Sequence, residues 1–146
     1  MLGLPRKTLL AIEAVLDIAY HAGGGTVQSG DITARQGIPR RSLEPILQQL
    51  TRAGILTGVR GPKGGYRLAR ERRRIALGEI IRLVVGEEDT EGSDGDLGTR
   101  VVVPLWEELT AELMTRLDGI SLEDLCERAR AAGIHSETAE ILDFTI

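Results

Sequence analysis

Residues 59–68 read Val-Arg-Gly-Pro-Lys-Gly-Gly-Tyr-Arg-Leu, and this stretch decides the fold. Three glycines and one proline fall within residues 61–65, which is the composition of a tight turn. Glycine permits positive φ, and proline fixes φ near the value that a turn needs. Strand-forming residues lead into the turn, and residues 66–69 alternate between apolar and polar side chains. The stretch predicts a β-hairpin with Arg60 and Lys63 at its tip. A phosphate-binding loop is disfavoured, because the lysine-serine/threonine pair and the helix of a P-loop are absent.

Two helices are predicted near the start of the chain. Apolar residues recur at helical spacing from about residue 5 to residue 21, and three consecutive glycines follow. A second, shorter helix is predicted over residues 29–36, with Ser29 or Asp31 as its cap and Gly37 as its end.

A third helix is predicted through residues 43–53, and it stops at Gly54. Pro45 predicts either a start near Ser42 or a bend, because a proline deep inside a helix costs about 3 kcal/mol. Two short helices joined by Gly-Ile-Pro at residues 37–39 indicate a helix-turn-helix. With the hairpin that follows, the pattern predicts a mainly α fold with a small β-hairpin wing, a winged helix-turn-helix.

The charge of the chain is divided between its halves. The whole chain has 18 basic and 22 acidic residues, a net charge of −4. Residues 1–75 hold 13 basic and 5 acidic residues, a net of +8, whereas residues 76–146 hold 5 and 17, a net of −12. A basic half suits a polyanion such as DNA, because each neutralised phosphate releases counterions. A mixed-charge surface with no such partner is the alternative.

Composition excludes several other classes of protein. The chain of 146 residues has 42% hydrophobic residues but only 3% aromatic ones, so its core must be aliphatic. A single cysteine cannot form an intramolecular disulfide. No apolar run approaches the roughly 20 residues of a membrane span, and no signal peptide is visible. We expect a cytoplasmic protein that is not an enzyme, because no catalytic constellation is visible in the sequence.

The second half predicts an appendage to the winged domain. A fourth helix is predicted over about residues 76–85, and residues 86–98 are expected to form an acidic flexible linker. Dimerisation helices are expected over residues 99–128, with a capping box at Ser121 and Asp124, and a tail over residues 129–146. The winged domain would then occupy residues 1–85. The long helix carries an apolar stripe of Val102, Leu105, Trp106, Leu109, Leu113 and Leu117.

The chain resembles the Rrf2 family of bacterial transcription regulators. The resemblance covers residues 1 to about 126, and the glycine-rich hairpin is its most specific part. The other residues that match the family pattern are Leu43-Glu44, Leu47, Leu50, Ala53-Gly54, Ile75, Gly78-Glu79-Ile80, Pro104-Leu105-Trp106 and residues 120–125.

The resemblance implies DNA contacts by two elements. The start of the third helix would enter the major groove, and the wing would reach the minor groove or phosphates. The residues at matching positions are Arg40, Arg41, Ser42 and Glu44 on the helix, Arg60, Lys63, Gly64 and Gly65 on the wing, and Arg6 and Lys7 near the N-terminus. Glu44 could accept from a cytosine amino group, or it could be only a helix-start acid favoured by the macrodipole. Tyr66 is expected to pack under the wing.

The resemblance also implies a homodimer that binds double-stranded DNA as a repressor. The stripe from Val102 to Leu117 is too apolar to remain exposed, because large exposed apolar patches mark interfaces. Packing of the stripe within one protomer is the alternative. The signal would be a small molecule, a partner protein or the thiol of Cys126.

The sequence departs from the family that it resembles at the expected cofactor site. Many family members hold an iron–sulfur cluster with three cysteines after the fourth helix, because thiolates are soft ligands for iron. Residues 86–103 contain no cysteine, and the only one in the chain is Cys126. We therefore predict no cluster, no other cofactor and no metal site. Leu9 and Leu10 stand where members often carry an arginine and an aromatic residue, so contacts of those side chains do not carry over.

The sequence suggests three alternative functions. Asp89, Glu91 and Ser93 mimic the start of a calcium-binding loop, but Asp94 and Arg100 replace its glycine and its bidentate glutamate. A protein-interaction module that keeps the winged fold is an alternative to a DNA regulator. A thiol-based sensor using Cys126 is another, although reactivity needs exposure and a lowered pKa.

Overall fold

The structure, a computed structural model, describes residues 3–85 and 94–137. Its helices and its two strands follow the order expected for a winged helix. The elements are α1 (Arg6–His21), α2 (Ser29–Gln36), α3 (Arg40–Arg52), β1 (Leu56–Val59), β2 (Gly65–Leu68), a 3₁₀ turn (Arg72–Arg74), α4 (Leu77–Val85), a π-helical turn (Gly98–Val102), α5 (Val103–Asp118) and α6 (Leu122–Ala131). Within the described ranges, no helix is both long enough and apolar enough to cross a bilayer.

Helix α1 is the centre of the core. It packs against α3, α4, α6 and β2 through an almost continuous buried face. The core is aliphatic, as the composition predicts, and the side chains most completely shielded from solvent include Val15, Ile18, Ile32, Ile38, Leu43, Leu47, Leu50, Ile75, Ile80 and Leu122. Burying a side chain of this size contributes roughly 1.5–3 kcal/mol, so this one layer dominates the stability of the fold.

The predicted helix bounds are confirmed for α2, but its cap is different. Gln28, rather than Ser29, is the N-cap, and its backbone N–H donates to Asp31 Oδ2 at 3.3 Å. Asp31 thus acts from the third helical position as one half of a capping box. A glutamine in this role is outside the usual cap preferences, which is why the sequence pointed to Ser29.

Helix α3 does not begin late at Ser42, as Pro45 suggested. It begins at Arg40, directly after Pro39, and Pro45 lies inside it. Pro45 cannot donate to the Arg41 carbonyl, which is its partner four residues back. Both residues are exposed, so water can satisfy that carbonyl. The buried face of α3, which carries Leu43, Ile46, Leu47 and Leu50, is left intact.

The predicted hairpin is confirmed, and a third segment braces it. Strands β1 and β2 pair antiparallel, with Val59 opposite Gly65 and Leu56 opposite Leu68. Val27 and Tyr66 exchange both backbone hydrogen bonds, at 2.8 and 2.7 Å, so the chain just before α2 lies beside β2. We use the word wing for residues 56–68. Tyr66 is partly buried against the core, as expected.

The chain after the wing returns to the same core. Helix α5 runs beside α4, and Arg82 of α4 makes a two-pronged ion pair with Asp118 of α5, with N–O distances of 2.6 and 2.7 Å. Ala76 and Ser121 then lie opposite each other in an isolated antiparallel bridge, in which Leu122 N–H donates to the Ile75 carbonyl at 3.0 Å and Leu77 N–H donates to the Ile120 carbonyl at 2.8 Å. Leu122 and Cys126 of α6 are fully buried with the residues of α1. The winged half and α6 therefore share one core, although the sequence assigned them to different segments.

The capping box of α6 is confirmed, because Asp124 N–H donates to Ser121 Oγ and Ser121 N–H donates to Asp124 Oδ2. Pro104 is the second residue of α5 and follows the π-helical turn Gly98–Val102 directly, at the junction of the two helical segments. The predicted linker and the calcium-like residues Asp89, Glu91 and Ser93 fall largely outside the described residues, as do residues 138–146 of the tail.

Candidate nucleic-acid interface

The turn between α2 and α3 fixes the start of the candidate recognition helix. Gly37 adopts a left-handed conformation with φ of 67°, which only glycine adopts without strain. Ile38 follows and is almost fully buried, so it anchors the turn in the core. Pro39 then ends the turn, and Arg40 and Arg41 emerge in the first turn of α3, both exposed. The local sequence thus aims two guanidinium groups away from the core.

Glu44 forms an ion pair within α3. Arg40 Nε lies 3.5 Å from Glu44 Oε1, one helical turn away, and the two side chains are 70% and 47% exposed. A pair this exposed is worth at most a few tenths of a kcal/mol, so both groups stay available to a partner. Glu44 therefore has a third role that the sequence did not indicate, as the internal partner of Arg40. Ser42 lies beside them, partly exposed.

The wing carries the second group of predicted contacts. Arg60 and Lys63 lie in the exposed turn between β1 and β2. Thr26 Oγ1 donates to the Lys63 carbonyl oxygen at 3.0 Å, so the turn is tied to the chain just before α2. Because β1 also packs on α3, the wing tip and the recognition helix are held by one framework.

Gly64 and Gly65 have a reason to be glycine within the protein itself. A Cβ at Gly64 would lie 2.8 Å from the Gly61 carbonyl oxygen, and one at Gly65 would lie 2.6 Å from the Val27 carbonyl oxygen. Gly65 also has a φ of 150°. Gly64 is buried inside the turn. Their surroundings therefore require glycine in order to close the wing on itself, and close approach of the same backbone to DNA remains a prediction.

The remaining predicted cations differ in how they are held. Arg6 and Lys7 are exposed in the first turn of α1. In the basic segment after the wing, Arg70 pairs with Glu79 at 2.8 Å, Arg73 with Glu71 at 2.6 Å, and Arg72 with Glu123. Most of the positive charge of residues 70–74 is therefore neutralised by acids of the same chain. Outside this segment, Arg41 on α3 and Arg60 and Lys63 on the wing are exposed and form no ion pair with the described residues.

A buried charge cluster under α2 was missed by the sequence reading. Asp17 of α1 is only 3% exposed and accepts hydrogen bonds from Arg35 Nε and Nη2, at 2.9 and 2.8 Å, and from Gln36 Nε2 at 2.8 Å. The hydrogen bond to Asp17 holds the pKa of Arg35 above its usual value. The signal was present, because Asp17 is a lone carboxylate on the otherwise apolar face of α1.

The single cysteine is enclosed by the core. Cys126 is fully buried, and this burial raises the pKa of its thiol, although Arg72 and Arg130 nearby oppose the rise. A protonated, inaccessible thiol is a poor nucleophile and a poor metal ligand. The residues that the structure describes contain no group of three or more histidine, cysteine or acidic side chains placed to hold a metal ion.

The apolar stripe of α5 faces away from its own protomer. Of the predicted residues, Val102, Leu105, Trp106, Leu109 and Leu113 are all exposed, with Trp106 at 50%, and Leu117 is half-buried. Leu97 and Val101 extend the exposed apolar surface at its N-terminal end. Helix α5 has no fully buried residue, which is unusual for a helix of 16 residues.

Comparisons with known proteins agree with this geometry. Residues 4–128 match the Rrf2 family, described as iron-dependent transcriptional regulators. The HTH-type transcriptional regulator IscR of Aliivibrio salmonicida is 41% identical over 129 residues, covering 84% of this chain and 76% of that protein. The IscR of Xenorhabdus nematophila is 36% identical over 127 residues, covering 84% and 77%.

Two solved structures share the fold over most of their length. IscR of T. potens superposes with a TM-score of 0.77 at 34% identity, covering 92% of this chain and 93% of that one. CymR, the global cysteine regulator of B. subtilis, superposes with a TM-score of 0.70 at 27% identity, covering 88% and 98%. These relatives are DNA regulators, so the interaction-module alternative is not favoured. The chain belongs to the Rrf2 family and is a DNA-binding transcription regulator with a winged helix-turn-helix fold.

Proposed function

We propose that this chain acts as a homodimeric, sequence-specific repressor that binds its operator without an iron–sulfur cluster. The observation that carries the proposal is the distribution of exposed positive charge. The guanidinium groups on the first turn of α3 and the cations on the wing tip are exposed, whereas the arginines of residues 70–74 are mostly ion-paired. A regulator that binds bacterial chromosomal DNA works in the cytoplasm, and we expect the chain there.

The two cationic elements have different tasks in this proposal. Arg40 and Arg41 enter the major groove, where an arginine can make a bidentate contact to guanine. Arg60 and Lys63 on the wing contact phosphates or the minor groove, and Arg6 and Lys7 contact flanking phosphates. Ser42 and Glu44 lie beside the arginines, and Glu44 exchanges its internal partner Arg40 for a cytosine amino group.

A second copy of the chain covers the exposed face of α5. Two recognition helices related by a two-fold axis then address two half-sites, spaced by about one or two helical turns of DNA. The exposed apolar side chains of α5 support this occupant, because a stripe this apolar is rarely left in water.

An iron–sulfur cluster does not fit this chain. The family description names iron, but the chain has one cysteine and that thiol lies in the core. A cluster needs several accessible thiolates or comparable ligands on one surface. We therefore assign no step in DNA binding to such a group. The buried thiol likewise argues against Cys126 as the redox signal.

DNA binding by protein purified in air tests the proposal. Anisotropy of labelled DNA from the gene's own upstream region would be measured at two salt concentrations. We expect selective binding that weakens steeply with salt. Arg41→Ala should reduce the binding free energy by about 1–3 kcal/mol for the specific sequence only. Arg60→Ala should weaken binding to all DNA sequences alike and lower the slope of affinity against salt by about 1.

The matched control is Arg128→Ala, which removes an exposed guanidinium from α6 and should leave binding unchanged. If Arg41→Ala and Arg60→Ala both bind like the unchanged protein, the interface is elsewhere. If binding appears only after iron and sulfide are supplied, the cluster-free reading is wrong.

A further inference from the structure

A cavity of about 750 Å³ opens between the end of α1, the chain that follows β2, and α6. Its volume is in the range of small-molecule sites in proteins. The apolar part of its lining that a ligand can reach is formed by Ala22 and Leu68, both partly exposed. The other side is charged, with Arg72, Arg73 and Arg130 facing Glu71 and Glu123. No part of this cavity belongs to the DNA-contacting groups on α3 or the wing tip.

The charges around the cavity leave one cation without a partner. Arg72 pairs with Glu123, and Arg73 pairs with Glu71. Arg130 is exposed, and its guanidinium forms no ion pair and no hydrogen bond with residues 3–85 and 94–137. Both acids on the lining are already engaged, so the cavity has one net positive charge to offer.

The position of Arg130 on α6 is consistent with a ligand in the cavity. Glu123, Cys126 and Arg130 recur at intervals of three and four residues, so they share one face of the helix. Arg72 pairs with Glu123 of this face, and Arg72 and Arg130 both line the cavity.

The hydroxyl groups on the lining are committed to the protein. Tyr20 OH donates to the Ile134 carbonyl oxygen, and Ser136 Oγ donates to the Tyr20 carbonyl oxygen at 2.7 Å. An incoming ligand therefore finds arginine as its main donor. Arginine favours carboxylate and phosphate groups, because its planar fork can donate two parallel hydrogen bonds.

We propose that this cavity binds a small organic carboxylate, whose charged end pairs with Arg130 and whose apolar body lies on Ala22 and Leu68. Inorganic phosphate has the charge but no apolar body, so the apolar side of the cavity favours the carboxylate. The site lies where a ligand can influence the wing, since Glu71, Arg72 and Arg73 follow β2 after only two residues. That influence rests on the proposed DNA-binding function, whereas the binding itself does not.

A titration followed by amide NMR tests the site without DNA. Sodium benzoate, sodium phosphate and sodium chloride would be added at equal ionic strength to the full-length protein. We expect benzoate to shift the amide signals of Gly23, Gly24 and Arg130 saturably, with phosphate weaker and chloride without effect. Arg130→Gln should weaken the affinity for benzoate by about tenfold or more, because it removes a charge-assisted contact. Arg128→Gln, a substitution of another exposed arginine on the same helix, should leave this affinity unchanged.

Several outcomes would overturn the assignment. Benzoate shifts no larger than those of chloride would mean that the cavity is not a carboxylate site. Phosphate binding as tight as benzoate would leave an anion site without the apolar preference. Equal benzoate affinity in the Arg130→Gln variant would remove Arg130 from the site. None of these results bears on the DNA interface, which the Arg41 and Arg60 variants test separately.

Discussion

Asp17 shows how one residue can hold the helix-turn-helix in place. Its carboxylate lies on the buried face of α1, where it accepts three hydrogen bonds from Arg35 and Gln36 of α2. A buried charge is tolerated only when its partners replace its water, and here a two-pronged arginine and an amide do so. The position of α2, and through it of α3, therefore depends on this one acid.

Asp17→Asn should destabilise the fold by about 3 kcal/mol or more, because it leaves the guanidinium of Arg35 without its buried counter-charge. For a chain of this length the midpoint of thermal unfolding should fall on the order of 10 °C. Thermal unfolding followed by circular dichroism measures both. Glu137→Gln is the matched control, since Glu137 pairs with the same arginine at 3.0 Å but is 57% exposed, and it should cost well under 1 kcal/mol. Equal losses in the two variants would mean that the burial of Asp17 is not what matters.

At the scale of the element, residues 134–137 tie the chain after α6 to the end of α1. Tyr20 OH donates to the Ile134 carbonyl, Ser136 Oγ donates to the Tyr20 carbonyl, and Glu137 N–H donates to His21 Nδ1 at 3.2 Å. The last of these bonds needs an unprotonated Nδ1. Burial lowers the pKa of His21, and Arg35 adds to the effect, while Asp17 and Glu137 oppose it.

This contact predicts an acid-sensitive part of the stability. Because the folded pKa of His21 lies below its unfolded value of about 6.5, its contribution is complete above pH 6.5 and declines as the pH falls through the folded pKa. Urea unfolding at pH 8 and pH 5.5 should show a loss of stability in the wild-type chain. His21→Asn, whose amide can still face the Glu137 N–H but does not titrate, should lose less. An identical loss in both proteins would assign the acid sensitivity to other groups.

At the scale of the whole molecule, α5 is the surface that the single chain leaves unfinished. Its apolar side chains are exposed, while its other side packs on α4 and is closed by the Arg82–Asp118 pair. A repressor that reads two half-sites needs its two winged units at a fixed separation. The stripe on α5 is suited to set that separation.

Leu109→Asp should convert a dimer into a monomer, because it places a charge in the middle of an interface that must exclude water. Light scattering after size-exclusion chromatography measures the mass, and affinity for a two-half-site DNA should fall by about tenfold or more. Ala111→Asp is the matched control, since it places the same side chain on an exposed, different face of α5 and should leave the dimer intact. A monomeric wild-type protein, or a dimeric Leu109→Asp variant, would contradict the assignment.

The sequence by itself determined the local features of this protein. Helical periodicity predicted α1 and α2 to within a residue, the capping box at Ser121 predicted the start of α6, and the glycine-rich turn predicted the wing, because these signals arise from neighbouring residues. The end of α6 at Ala131 lies beyond residue 128, where the sequence placed the end of the helices. The tertiary structure decided what depends on distant partners. In the folded protein, Asp17 accepts hydrogen bonds from Arg35 and Gln36. Most arginines of residues 70–74 pair with acids of the same chain, and α6 packs into the core that surrounds α1. The tertiary structure also allowed α3 to continue through Pro45, since burial of its leucines and isoleucine outweighs one missing hydrogen bond. Such contacts join residues far apart in the chain, so their energies are fixed only when the core closes around them.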